Sequence, residues 1–70
     1  MRLLLLNPNM TLKMTEEMAG LATTMLNHGS TLVPVTATTG FPYISSRAEA
    51  LIAGGIALDT IASHRNAVDA

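Results

Sequence analysis

The stretch Arg2-Leu3-Leu4-Leu5-Leu6-Asn7-Pro8-Asn9 decides the fold of this 70-residue chain. Its four consecutive leucines form an apolar run without alternation, which is typical of a strand buried on both faces of a parallel sheet. The run stops at Asn7-Pro8-Asn9, and this tripeptide is a strong turn signal. We therefore expect a first strand at about residues 2–7 that ends abruptly in a turn.

A helix is predicted to follow at about residues 10–27. Either Asn9 or Thr11 can cap its first turn by accepting hydrogen bonds from free backbone amides. Gly29 is a natural residue to follow the last turn. Apolar residues at helical spacing predict one buried stripe, formed by Met14, Met18, Leu21, Ala22 and Met25.

A second strand is predicted at about residues 31–37, where Leu32, Val33 and Val35 are apolar. Pro34 lies in the middle of this segment. Because proline cannot donate a hydrogen bond to a strand ladder, the segment is expected to be an edge strand.

A second helix is predicted at about residues 46–64. The segment Ser46-Arg47-Ala48-Glu49 is a capping box, in which the serine bonds forward to the Glu49 amide and the glutamate bonds back to the serine amide. Gly54-Gly55 weakens the helix and indicates a kink or close packing against the sheet. The expected buried face consists of Leu51, Ile52, Gly55, Leu58 and Ala62.

The predicted order β-α-β-α is typical of an α/β fold with a parallel sheet. Two parallel strands alone form a marginal sheet, so we expect a third strand beyond Ala70, next to the first. The chain is therefore interpreted as a fragment of a larger domain, or as an obligate partner in an assembly.

The composition excludes several classes of protein. The chain has 49% apolar residues, 13% charged residues, a net charge of −1 and no cysteine. These values argue against disorder, disulfide bonds, a zinc site and a nucleic-acid partner. The leucine run is too short for a secretory signal or a membrane span, so a cytoplasmic location without a membrane partner is expected.

Ligands of parallel α/β sheets bind at the carboxyl ends of the strands, where two loops of this chain meet. The first loop leads into a helix N-terminus, whose free amides suit a carboxylate or another small anion. Neither loop contains Asp, Glu, His, Lys or Cys, while His28 and His64 are expected at the opposite end of the sheet. The alternative to ligand binding is that the first loop is only a tight turn with an N-cap and that Phe41 and Tyr43 of the second loop only cover the end of the sheet. The candidate substrate-binding residues are Asn7, Asn9, Met10, Thr11, Phe41, Tyr43 and Ile44.

Two segments carry a resemblance to a known family. The segment Arg2–Asn9, followed by Met14-Thr15-Glu16, and the segment Pro42-Tyr43-Ile44-Ser45-Ser46-Arg47-Ala48-Glu49-Ala50 together resemble the N-terminus of the Asp/Glu/hydantoin racemase family. Within that family, the two segments resemble the hydantoin and allantoin racemases. The resemblance covers nearly the whole chain.

The resemblance implies one lobe of a two-lobed, cofactor-independent isomerase that holds no metal. In the family, two cysteines flank the substrate's stereocentre; one removes a proton and the other returns one. The first cysteine follows the third strand, so this chain would supply substrate-binding loops without catalytic residues. The substrate would be a hydantoin, an amino acid or a small acid, and a homo-oligomer is expected. Asn9 and the amides around Met10 and Thr11 resemble the family's substrate-contacting turn, and Phe41, Tyr43 and Ile44 resemble its cleft wall.

The sequence departs from the family at two positions and leaves other functions open. Met10 stands where the family usually has Thr or Ser, and Ser45 replaces a common Glu. The related arylmalonate decarboxylases and maleate isomerases remain alternatives. So do a non-catalytic oligomerising α/β module and a small-anion sensor that uses only residues 7–11.

Overall fold

The computed structural model describes residues 1–70 as two strands and two helices in alternating order. Strands β1 (Arg2–Asn7) and β2 (Thr31–Thr36) pair in parallel, with Leu3 opposite Leu32 and Asn7 opposite Thr36. Helix α1 (Leu12–Thr23) connects the strands, and helix α2 (Arg47–His64) follows β2. The predicted small α/β unit with a parallel sheet and the order β-α-β-α is confirmed.

The two helices lie on opposite faces of the sheet. Asn7 bonds to Thr15 of α1, so the alternation of a strand places Leu3 and Leu5 on the α1 face. Leu4 and Leu6 share the other face, where they line a groove together with Ile61 of α2. The leucines are half-buried, and the full burial expected for them is not observed.

The pairing of the two strands explains how the sheet accommodates Pro34. The Thr31 amide donates to the Met1 carbonyl at 2.9 Å, and the Ala37 amide donates to the Asn7 carbonyl at 3.0 Å. Amides of odd-numbered β2 residues therefore point toward β1, and the Pro34 nitrogen lies on the outer edge. The proline removes no ladder bond, as expected for an edge strand.

Helix α1 is shorter at both ends than the predicted segment 10–27. At its C-terminal end, the Thr23 and Thr24 hydroxyls bond to carbonyls of their own turn, at 2.7 Å each. Such bonds compete with continued helix formation. Gly29 has a φ of +89° in the turn before β2, so it does not follow the last turn of α1 as predicted.

The predicted inner face of α1 is only partly correct. Met18, Leu21 and Met25 of the predicted stripe are exposed, whereas Met14 and Ala22 are half-buried. The buried residue of the helix is Thr15, whose hydroxyl reaches polar partners in both strands. These hydrogen bonds orient the helix, and periodicity of apolar residues alone does not reveal them.

The predicted buried face of α2 is wrong. Its buried residue is Ala53, and Leu51, Ile52 and Leu58 are exposed. The helix is apolar around most of its circumference, so the sequence contains no polar stripe that would select the outer face. The side that faces the rest of the chain consists of Ala53, Ile56, Ala57, Thr60 and His64.

Replacing Gly54 or Gly55 by alanine is expected to raise the free energy of unfolding by about 1 kcal/mol each. A Cβ atom at either position would meet no heavy atom within 4 Å, so close packing of these glycines against the sheet is not observed. Urea unfolding followed by circular dichroism measures the effect, with Ala62→Gly as the opposite control. A loss of stability in either alanine variant would contradict this prediction.

The N-terminus of α2 is capped, although one bond differs from the prediction. The Ser46 hydroxyl accepts a hydrogen bond from the Glu49 amide at 3.1 Å, as the capping box predicts. The Glu49 carboxylate accepts bonds from the Ser45 amide and hydroxyl, both at 2.8 Å, rather than from the Ser46 amide. The pKa of Glu49 is lowered, chiefly by the bond from the Ser45 amide.

Acid is expected to weaken the fold partly through Glu49 and Asp69. The bond from the Arg2 amide to Asp69, at 2.6 Å, is the main cause of the lowered Asp69 pKa. A carboxylate with a lowered pKa in the folded state stabilises the fold above its unfolded-state pKa, and this stabilisation is lost as pH falls through the folded-state pKa. The loss therefore begins below the ordinary values of 4.5 and 3.8.

Urea midpoints measured from pH 7 to pH 2 test this pH dependence. Glu49→Gln and Asp69→Asn are each expected to be less stable than the wild type at pH 7 and to converge with it in acid. Glu17→Gln alters an exposed carboxylate without a hydrogen-bond partner and is the matched control. A constant difference across the pH range would show that the carboxylate charge is not responsible.

Candidate functional site

Two loops meet at the carboxyl ends of β1 and β2, as predicted. The Met10 amide donates to the Phe41 carbonyl at 2.8 Å. The Thr11 hydroxyl donates to the Pro42 carbonyl at 2.6 Å, which leaves Thr11 in the N-cap position of α1 without a side-chain capping bond. We call residues 8–11 and 41–44 the loop pair.

The buried side chain of Asn7 holds the first loop in place through hydrogen bonds. It is 1% exposed, and its amide nitrogen donates to the Thr11 carbonyl and the Thr15 hydroxyl, both at 3.1 Å. Its amide oxygen accepts from the backbone and side-chain nitrogens of Asn9, at 3.0 and 3.2 Å. Both of its donor hydrogens and its acceptor oxygen are therefore used within the chain.

Thr15 and Thr36 extend this buried network, and the sequence reasoning assigned neither of them to the site. Their hydroxyls lie 2.6 Å apart, so α1 and β2 are joined at the level of Asn7. The sequence gives one signal for this role. Thr15 is polar, although an apolar residue at this position would extend the buried face of the helix. That signal alone does not identify the partners of the threonine.

Asn9 links the two loops and retains one unused donor. Its side-chain oxygen accepts from the Ile44 amide at 2.7 Å, and its side-chain nitrogen donates to Asn7. The nitrogen carries a second hydrogen that has no partner in the chain. Of the two asparagines proposed from the sequence, Asn9 is therefore the one that can contact a ligand directly.

The apolar members of the loop pair differ in exposure. Tyr43 is 64% exposed and Met10 is 39% exposed, whereas Phe41 and Ile44 are half-buried. Tyr43 and Met10 can thus form a wall beside a ligand. Phe41 and Ile44 use their backbone groups to join the two loops.

The N-terminus of α1 opens beside the loop pair. The amides of Met14 and Thr15 bond to the Thr11 carbonyl, at 3.1 and 3.4 Å, whereas those of Leu12 and Lys13 have no partner in the chain. No acidic residue lies in the first turn of this helix. The free amides and the positive end of the helix dipole favour an anionic group at this position.

The loop pair contains no side chain suited to proton transfer near neutral pH. His64 lies at the C-terminal end of α2, where its Nδ1 is 2.8 Å from the Thr60 carbonyl, and His28 lies in the turn before β2. Both histidines are therefore at the opposite end of the sheet, as expected. No group of three or more His, Cys, Asp or Glu side chains could hold a metal ion.

Neither helix has the length and apolar character needed to cross a membrane. Comparison with known proteins found no matching family model, no matching curated protein and no matching solved structure.

Proposed function

We propose that this chain forms the substrate-binding part of one lobe of a cofactor-independent isomerase similar to the hydantoin racemases. The substrate would be a hydantoin, an amino acid or a small acid. The two proton-transferring cysteines would lie outside residues 1–70, because these residues include no cysteine. A cytoplasmic location and a homo-oligomeric state belong to the same proposal.

The observation that supports this proposal best is the placement of the loop pair beside an open helix N-terminus. The free amides of Leu12 and Lys13 suit a carboxylate or an imide oxygen of such a substrate. The unused Asn9 hydrogen can donate to a carbonyl oxygen, while Tyr43 and Met10 supply an apolar wall. Asn7 acts indirectly, because its hydrogen bonds hold Asn9 and Thr11 in position.

Two measurements test the proposed function. In a titration with a 5-substituted hydantoin or an acidic amino acid, we expect amide chemical-shift changes at Leu12, Lys13 and Asn9. Tyr43→Ala should weaken this binding, whereas Leu21→Ala, on an exposed and distant part of α1, should leave it unchanged. Polarimetry should show no loss of optical rotation with residues 1–70 alone, because general acid–base catalysis needs a positioned proton carrier.

Either of two results would contradict the proposal. An absence of chemical-shift changes at Leu12, Lys13 and Asn9 under saturating ligand would contradict the binding role. Racemisation by residues 1–70 themselves would show that the catalytic groups lie within them. Racemisation by a longer chain that includes cysteines, and its loss when they are changed to serine, would favour a racemase over an arylmalonate decarboxylase or a maleate isomerase.

A second candidate function is a non-catalytic oligomerising module, which the exposed apolar residues of α2 favour. Leu51 is 75% exposed and Leu58 is 69% exposed, although both are large apolar side chains. Exposed apolar patches of this kind often mark protein interfaces. A stable oligomer in size-exclusion chromatography whose melting temperature does not respond to small acids would favour the module over the racemase-like lobe.

A further inference from the structure

Helix α2 carries an apolar stripe on the side that faces away from the rest of the chain. Leu51 and Leu58 are its most exposed large apolar residues, and their spacing of seven places them on one side of the helix, two turns apart. Gly55 and Ala62 lie on the same side and are also exposed. We call Leu51, Gly55, Leu58 and Ala62 the outer stripe.

An additional strand at the β1 edge of the sheet would leave the outer stripe uncovered. Ala53, Ile56 and Thr60 form the inner side of α2, and the outer stripe lies about 180° around the helix from them. The groove formed by Leu4 and Leu6 meets α2 at Ile61, between these two sides. Extension of the sheet would therefore cover Ile61 but not the outer stripe. Because the outer face of a surface helix is normally polar, an apolar one indicates contact with a further molecule.

The order of large and small residues in the outer stripe is complementary to itself. If two copies of α2 pack antiparallel about a twofold axis at the middle of the stripe, Leu51 of one copy lies opposite Ala62 of the other. In the same arrangement, Leu58 lies opposite Gly55. Facing large and small side chains interdigitate and allow close packing of the two helices. A parallel pair would place leucine against leucine and glycine against glycine, which leaves gaps.

The size of the stripe is sufficient for a weak dimer. Ile52 and Ile61 border the stripe on its two sides, and about half of each side chain is exposed. Together with the stripe, they would bury about 1,000 Å² in a symmetric pair, at the lower end of the range for specific interfaces. A reversible dimer with modest affinity is therefore expected.

We propose that α2 pairs with α2 of a second copy in antiparallel orientation, with the outer stripe at the centre of the interface. This pairing makes the homo-oligomeric state of the proposed function specific. Its tests need no substrate and do not involve the loop pair, so either proposal can fail without the other.

Gly55→Leu distinguishes this pairing from general apolar adhesion. Sedimentation of the 70-residue chain from about 10 μM to about 1 mM should show a monomer–dimer equilibrium. The substitution adds apolar surface but fills the space that Leu58 of the other copy needs, so dimer affinity should fall at least about tenfold. A Cβ at Gly55 or at Gly20 meets no heavy atom within 4 Å, so the monomer should tolerate leucine at either position. Gly20→Leu, on α1, is the matched control and should leave the affinity unchanged.

Disulfide cross-linking determines the register of the pair, because the chain has no cysteine of its own. An equimolar mixture of Leu51→Cys and Ala62→Cys chains should form a mixed disulfide on mild oxidation. Neither variant alone should do so, since antiparallel pairing separates the two copies of each cysteine by about 16 Å along the helix axis.

The charges at the ends of the pair provide a test by gain of affinity. Arg47 of one copy and Arg65 of the other would lie at neighbouring levels, and both are exposed. Arg65→Glu replaces this repulsion by an ion pair at each end and should strengthen the dimer by about threefold. In a parallel pair, the same substitution would bring two glutamates together and weaken association.

Three results would overturn the proposal. The first is a monomer at every concentration, which would leave a different domain or protein as the occupant of the stripe. The second is equal or tighter association of Gly55→Leu, which would show that the apolar surface associates without specific packing. The third is a disulfide within each single-cysteine variant but not in the mixture, which would show a parallel pair.

Discussion

Replacing Asn7 by aspartate is expected to lower the free energy of unfolding by about 3 kcal/mol. The substitution keeps the shape of the side chain but removes both donor hydrogens. A carboxylate oxygen would then face the Thr11 carbonyl, which now accepts a hydrogen bond of 3.1 Å from Asn7. Because Asn7 is 1% exposed, water cannot compensate for the lost bonds.

The effect is large relative to the stability of a domain this small. A 70-residue domain has a free energy of unfolding of about 4–10 kcal/mol, so at the lower end of this range the variant would be measurably unfolded at room temperature. Urea unfolding followed by circular dichroism measures the change. Asn27→Asp is the matched control, since Asn27 is exposed and its side chain has no hydrogen-bond partner. Similar stabilities of the two variants would refute the role assigned to Asn7.

Replacing Gly40 by alanine is expected to cost about 2 kcal/mol. Gly40 has a φ of +108°, a conformation that residues with a Cβ atom rarely adopt. The added Cβ would also lie 3.2 Å from Cδ1 of Ile56, so the Ile56 side chain must shift. The same loop continues into Phe41 and Pro42, whose carbonyls hold the loop pair together, so its conformation matters for the candidate site.

Substitutions at two other glycines separate the two causes of this loss of stability, which are backbone strain and the contact with Ile56. Gly29→Ala places a Cβ at a φ of +89° with no atom within 4 Å, so it reports the backbone strain alone. Gly20→Ala lies in α1 with no atom within 4 Å and should stabilise the chain by about 1 kcal/mol. If Gly40→Ala were as stable as the wild type, the tight turn would not require glycine.

Most polar groups of the candidate site form hydrogen bonds with other groups of the chain. Asn7, Thr11 and Thr15 use their hydrogen-bonding groups within the chain, and these bonds leave the Leu12 and Lys13 amides and one Asn9 hydrogen free. A ligand would therefore meet a preformed surface, which lowers the entropic cost of binding. Of the polar residues that the sequence suggested as substrate-binding, Asn7 positions the loops, whereas Asn9 keeps a hydrogen-bond donor free for a ligand.

Local chemistry determined much of this protein from the sequence alone. The leucine run and the Asn7-Pro8-Asn9 turn predicted β1, Pro34 indicated an edge strand, and Ser46 marked the start of α2. Such signals act over a few residues, since a turn, a cap or a missing amide hydrogen depends mainly on its immediate neighbours. The order of elements and the parallel sheet follow from them.

Only the tertiary structure decided which helix faces turn inward and which polar groups meet. Helix α2 is apolar on nearly every side, so packing placed Ala53 inward and left Leu51 exposed. The bonds that join Asn9 to Ile44 and Ala70 to β1 connect residues far apart in the chain. No local pattern specifies such pairs, because their geometry exists only after the strands have paired and the helices have packed on them.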